Sequence, residues 1–133
     1  MISLFEFGYR YVIPSIKRRL VEKLIDMGMA QREVSKRLGL SASAVSRYLS
    51  MERGSTINVA SFSDLDESIG KLALLIKEKI ADPYTIQLAI YRISLYALSR
   101  KYMCEDHSKV DISVNPKICS ICPTLFGNLI SLY

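Results

Sequence analysis

The amino-acid sequence predicts an all-α protein. Apolar residues recur at spacings of three and four along successive segments, and proline, serine or glycine stands where such helices begin and end. The 133 residues are 50% hydrophobic and 23% charged, which is typical of a globular chain. The most apolar run, TIQLAIYRISLYAL, is shorter than a membrane span requires and contains Arg92, so we expect a buried helix there.

The first predicted helix begins at Pro14 and carries a basic face. Its apolar residues follow helical spacing from Ile16 to Met27, proline suits a first turn, and Gly28 suits a C-terminal cap. Lys17, Arg18, Arg19 and Lys23 make the opposite face strongly cationic.

Two short helices follow, separated by a glycine. The first is expected from about Gln31 to Leu38 and ends at Gly39. The second begins after Ser41, whose hydroxyl is a suitable N-cap. Its buried stripe is expected at Val45, Tyr48 and Leu49.

The second half predicts two longer helices. After a polar connection in which TINVA (56–60) is compatible with a brief extended piece, Ser63 is expected to cap a helix with one apolar stripe. That stripe comprises Leu65, Ile69, Leu72, Leu75, Ile76 and Ile80. Asp82 and Pro83 interrupt the pattern, and a further helix is expected from about Tyr84 to Met103.

Positive charge is concentrated in the first part of the chain. Residues 1–54 hold ten Lys or Arg against five Asp or Glu, whereas residues 55–133 hold eight of each. This asymmetry indicates a polyanion-binding part joined to an assembly or sensing part, although an ordinary solvated basic face has the same composition.

Two short helices around a glycine turn have the dimensions of a helix-turn-helix. The segment QREVSKRLGLSASAVSRYLS resembles that motif in the repressor and Cro-like family, with Gln31, the small Ser35, the turn residue Gly39 and the buried Val45 at matching positions. Over residues 8–55 the chain also resembles a group of predicted archaeal transcriptional regulators that end in a CxxC.

The resemblance implies that the second motif helix enters the major groove of double-stranded DNA. The residues then expected at base edges are Ser41, Ala42, Ser43, Ser46, Arg47 and Ser50, of which Arg47 alone is capable of a bidentate contact with guanine. Those expected at phosphates are Lys17, Arg18, Gln31, Arg32, Lys36, Arg37 and Arg53.

The predicted architecture has three parts. They are a helix-turn-helix domain (1–55), a helical dimerisation region (56–103) and a short Cys/His tail (104–133). One recognition helix reads too few base pairs for useful specificity, so a homodimer on a palindromic operator is expected. The stripe of residues 65–80 and the face of Ile86, Ile90, Ile93 and Leu98 are the predicted interface, the alternative being that they complete an intramolecular core.

The tail contains every cysteine and the one histidine of the chain. Cys104 and His107, then Cys119 and Cys122, form two close pairs separated by eleven residues, the general layout of a tetrahedral zinc site. In CSICP a proline follows Cys122, and a proline after a ligating cysteine occurs in ferredoxin-like runs, which favours an iron–sulfur cluster as an alternative. Plain packing of the cysteines, without metal, is the third interpretation.

The predicted function is therefore that of a DNA-binding regulator. A cytoplasmic location is expected, because the N-terminus lacks the features of a signal peptide. No phosphate loop, paired carboxylates or serine–histidine pattern indicates an enzyme. The alternatives are a metal- or redox-sensing regulator and an antitoxin-like protein-interaction module. The sequence does not indicate an effector.

Overall fold

The computed structural model describes residues 1–128, and these residues are helical with no β-strand, which confirms the all-α prediction for them. None of their helices combines the length and apolar character that a bilayer crossing requires. The helices are α1 (Leu4–Phe7), α2 (Ile13–Asp26), α3 (Gln31–Leu38), α4 (Ala42–Leu49), α5 (Ser63–Lys77), α6 (Pro83–Ser99), α7 (Cys104–Val110) and α8 (Ile121–Phe126). Residues 129–133 of the predicted tail lie outside the described residues.

The first helix does not begin at Pro14. A π-helical turn (Gly8–Val12) joins α1 to α2 without a break, since Gly8 and Ile13 both keep right-handed helical dihedrals. Pro14 has no amide hydrogen to donate and its ring crowds the preceding turn. A wider π turn directly before it accommodates both effects, so the proline lies inside a continuous helix.

Helix α2 lies at the centre of one hydrophobic core. Ile16, Leu20 and Leu24 are fully buried, and α3, α4, α5 and α6 all contact this helix. The core extends across the predicted boundary between residues 55 and 56.

The apolar stripes of α5 and α6 belong to that core. The eight residues buried within the chain are Leu65, Ile69, Leu72, Ile76, Ile86, Ile90, Ile93 and Leu98. The prediction that they form a dimer interface is wrong, because their side chains already pack against α2 and its neighbours. Leu75 and Ile80 are the exposed members of the predicted set.

A network of ion pairs joins α2 to α5. Arg19 Nε lies 2.7 Å from Asp66 Oδ1, and Lys23 Nζ lies 3.2 Å from Asp66 Oδ2. The hydrogen bond from Arg19 lowers the pKa of Asp66, and Lys23 lowers it further. The stabilisation is therefore present above the ordinary pKa of an aspartate and lost as the pH falls through the lowered pKa.

Two local predictions, for the cap of α5 and for the connection before it, are wrong. Ser63 lies inside α5 and Phe62 occupies the N-cap position without a side-chain cap. The segment 56–60 is not extended, because turns lead into a 3₁₀ turn (Val59–Ser61). Ile57 and Val59 are buried by this conformation.

The predicted helix to Met103 ends at Ser99, and Cys104 begins α7 instead of ending α6. Lys101 adopts a left-handed conformation (φ 63°) that turns the chain between them. Asp64 of α5 accepts hydrogen bonds from Tyr96 and Tyr102 at 2.9 and 2.8 Å. The bond to Asp64 raises the pKa of Tyr102 to about 12, and this cluster fixes the turn against α5.

Candidate functional site

The turn between α3 and α4 is held by three local devices. Gly39 takes a left-handed conformation (φ 64°), as its sequence position predicts. The hydroxyl of Ser35 donates to the carbonyl of Leu40 at 2.6 Å, and the hydroxyl of Ser41 accepts from the amide of Ala44 at 3.1 Å. The conformation of this connection is thus specified by its own side chains.

Helix α4 buries one face and exposes the other. Val45 and Tyr48 lie in the core, as predicted, and α4 packs on both α2 and α3. Its exposed residues include the whole predicted base-contacting set: Ser41, Ala42, Ser43, Ser46, Arg47 and Ser50. The first two serines are already paired, since their hydroxyl oxygens lie 3.1 Å apart.

Arg18 is not available for a phosphate contact. Its side chain is buried, its Nε donates to the carbonyl of Gly54 at 2.8 Å, and its Nη1 pairs with Glu22. The prediction for Arg18 is wrong because the residue ties α2 to the connection after α4.

Arg37 is also turned inward. Its Nη2 donates to the carbonyl of Ile76 at 2.6 Å, and its Nε lies 3.6 Å from Glu33. These contacts oppose a phosphate-binding role. The other predicted cations and Gln31 keep accessible surface: Lys17 is partly exposed, and Gln31, Arg32, Lys36 and Arg53 are exposed.

A groove of about 520 Å³ flanks α4 and contains three cationic side chains. Arg10, Lys17 and Arg53 line it together with Tyr9 and Tyr48. Arg53 lies over the ring of Tyr48, with its Cζ 5.8 Å from the ring centroid, and Arg10 also approaches Glu6 at 3.4 Å. The groove therefore presents positive charge and aromatic surface beside α4.

Sequence reasoning missed Tyr9 and Arg10. Both precede Pro14, where the helix was expected to begin, so they were not assigned to a helix face. Arg10 stands seven residues before Lys17, two helical turns along one face, and that spacing was the available signal.

The four predicted metal ligands line one cavity. Cys104, His107, Cys119 and Cys122 all border a space of about 400 Å³ between α1, the end of α6, α7 and residues 113–123. His107 stacks on Phe7 with ring centroids 4.3 Å apart, and its Nε2 lies 3.1 Å from the carbonyl of Ile2. Within residues 1–128, no three His, Cys, Asp or Glu side chains are arranged to hold a metal ion.

Burial raises the pKa of two of the three cysteine thiols. Burial raises the pKa of Cys104 and raises that of Cys122 to about 11, with the neighbouring Cys104 and Cys119 contributing to the second shift. A raised pKa favours the protonated thiol over the thiolate that binds metal. Zinc and iron–sulfur binding stay predictions, because either would require the thiols to converge and lose their protons.

The fold and this surface define a class: an all-α protein with a short helix pair, one exposed helix face and a cationic groove beside it. Comparison with protein families, curated proteins and solved structures finds no match to the chain.

Proposed function

We propose that the protein is a sequence-specific DNA-binding transcriptional regulator whose helix-turn-helix comprises α3 and α4. The observation that carries the proposal is the exposed face of α4, with Arg47, beside a groove that contains Arg10, Lys17 and Arg53. Base edges would meet the exposed face and phosphates would meet the groove, which is the division of work in this type of motif. The proposed role is not catalytic, and it is carried out in the cytoplasm, where the DNA lies.

Contacts within the chain reduce the number of basic side chains that are left to bind DNA. Arg18, Arg19, Lys23 and Arg37 interact with groups of the chain itself. The cations of residues 1–54 that keep accessible surface are Arg10, Lys17, Arg32, Lys36, Arg47 and Arg53, of which Arg10 also approaches Glu6. No side chain among residues 1–128 caps α3, so its first amide groups next to Gln31 are free for a phosphate oxygen.

Arg47→Ala is expected to relax sequence preference. Loss of a bidentate guanine contact removes about 1–3 kcal/mol of discrimination at one base pair and leaves the salt dependence nearly unchanged. The measurement is selection of bound duplexes from a random pool, followed by sequencing, for the wild type and the variant.

Lys109→Ala is the matched control, because this cation is exposed on α7, far along the chain from α4. If Arg47→Ala and the wild type select the same sequences, Arg47 does not read bases. If neither selects or binds DNA while the protein captures another protein, the antitoxin-like alternative is favoured.

We further propose that the regulator is a homodimer formed through the groove between α5 and α6. Leu75 and Leu88 are exposed along this groove. Ser68 also lines it, and its buried hydroxyl has no hydrogen-bond partner within residues 1–128. The exposed apolar side chains of this groove would be removed from water when a second copy covers them, which favours association.

Leu88→Glu is expected to raise the dimer dissociation constant at least about 100-fold, because closing the interface over a carboxylate removes its hydration, and the nearby Arg92 offsets only part of that cost. Sedimentation velocity over a concentration series measures the change. Leu74→Glu is the matched control, since Leu74 is 51% exposed against 53% for Leu88 but lies outside the groove. Equal effects of the two substitutions would place the interface elsewhere.

A further inference from the structure

The cavity bordered by the three cysteines has the size of a small-molecule site. Its volume of about 400 Å³ falls within the roughly 300–1,000 Å³ typical of such sites. Phe7, Leu98, Met103 and Val114 supply buried apolar wall. We propose that this cavity binds an uncharged, largely apolar small molecule.

Three polar side chains of the lining already make hydrogen bonds within the chain. Ser3 accepts a hydrogen bond from the amide of Glu6 at 3.1 Å, and Asn115 accepts one from the amide of Lys117 at 3.0 Å. Ser113 donates to Asp111 at 2.5 Å. Because these groups have partners, an apolar ligand leaves none of them unsatisfied.

The charge of the lining points to the same class of ligand. Within residues 1–128, the lining includes no Lys, Arg, Asp or Glu side chain. An ionic ligand would lose its hydration and gain no counter-charge from these side chains, whereas an uncharged one avoids that cost.

The cavity joins the first residues of the chain to the tail. The amide of Ile2 donates to the carboxylate of Asp111, and the carbonyl of Ile2 faces Nε2 of His107 at 3.1 Å. Phe7 stacks on His107 and belongs to the same continuous helix as α2. A ligand in the cavity therefore contacts the end of the helix against which α4 packs. The binding of such a ligand does not depend on the proposed function, but a role for it as an effector of DNA binding does.

The test is a fluorescence titration of the full chain with N-phenyl-1-naphthylamine, an uncharged probe that brightens in apolar surroundings. One saturable site per chain is expected. 1-Anilinonaphthalene-8-sulfonate, a similar ring system with a charge, is expected to bind at least about tenfold more weakly.

Two substitutions locate the site. Cys104→Phe fills the cavity and is expected to weaken probe binding at least about tenfold. Ile118→Glu places a charge on an exposed lining residue without disturbing the core, and it is expected to weaken binding as well. Ile112→Glu is the control, because Ile112 is 98% exposed and outside the lining.

Three results would overturn the proposal: no saturable binding, binding that Ile118→Glu leaves unchanged, or purified protein that holds one zinc per chain and admits the probe only after chelation. Because the titration contains no DNA, a protein that binds the probe but no DNA would refute the proposed function alone.

Discussion

Gly54→Ala is expected to lower the free energy of unfolding by about 2–4 kcal/mol. Gly54 has a left-handed conformation (φ 72°), and a Cβ there would lie 2.3 Å from the carbonyl oxygen of Pro14 and 2.9 Å from Cβ of Arg18. Pro14 lies in the continuous helix and cannot retreat, so the connection after α4 must move. That movement also weakens the hydrogen bond from Arg18 to the carbonyl of Gly54.

Urea denaturation followed by circular dichroism measures the change. Gly28→Ala is the matched control, because Gly28 also has a positive φ (93°) while nothing lies within 4 Å of its added Cβ. The control should show the conformational cost alone, about 1–2 kcal/mol. Equal costs for the two variants would mean that the connection is not held against α2.

The triple variant Arg10→Ala, Lys17→Ala, Arg53→Ala is expected to weaken binding to duplex DNA about 10²–10³-fold near 0.1 M salt. Each lost phosphate contact also reduces the slope of log affinity against log salt by about 0.9, so the slope should fall by nearly 3. Fluorescence anisotropy with one labelled duplex across a series of KCl concentrations gives both quantities.

A second triple variant separates groove contacts from net charge. Lys77→Ala, Lys109→Ala, Lys117→Ala removes the same charge from exposed positions outside the groove. Its slope should stay near that of the wild type. A matching loss in both variants would assign the effect to general electrostatic attraction and remove the groove from the proposed interface.

The parts of the fold that local chemistry determines agree with prediction from the sequence. Helix α3 runs from Gln31 to Leu38 as predicted, because Gly39 ends it with a conformation that other residues adopt at a cost. Ser41 likewise caps the next helix. Pro14 departs from its usual first-turn position, since a π turn before it lets the helix continue.

Tertiary partners were the part that patterns did not predict. Helical spacing identifies an apolar face but not what covers it. The stripe containing Leu65 and Ile69 therefore predicts a dimer interface and an internal core equally, and in the structure it is buried in the core, where α5 packs on α2. Charge composition has the same weakness. Its position in the basic segment predicts that Arg18 binds phosphate, but its guanidinium donates to the carbonyl of Gly54 and pairs with Glu22.

The cysteine segment was predicted in part. Its four candidate ligands do border one space, as their pairing implied. Their spacing gave no sign that His107 would stack on Phe7, because the two residues are a hundred positions apart in the sequence. The spacing of the cysteines likewise does not indicate that the first residues of the chain, such as Leu4 and Phe7, form an apolar wall of the cavity.

The central position of α2 bears on how this protein can vary during evolution. Helix α2 contacts α4 and also α5 and α6, so the core of residues 1–55 is continuous with that of the C-terminal helices. A recombination event that moved this segment alone into another gene would transfer a helix with uncovered leucines and isoleucines. The proposed DNA-binding surface is thus expected to be inherited together with the C-terminal helices, and to diversify by point substitution on α4 instead of by exchange of modules.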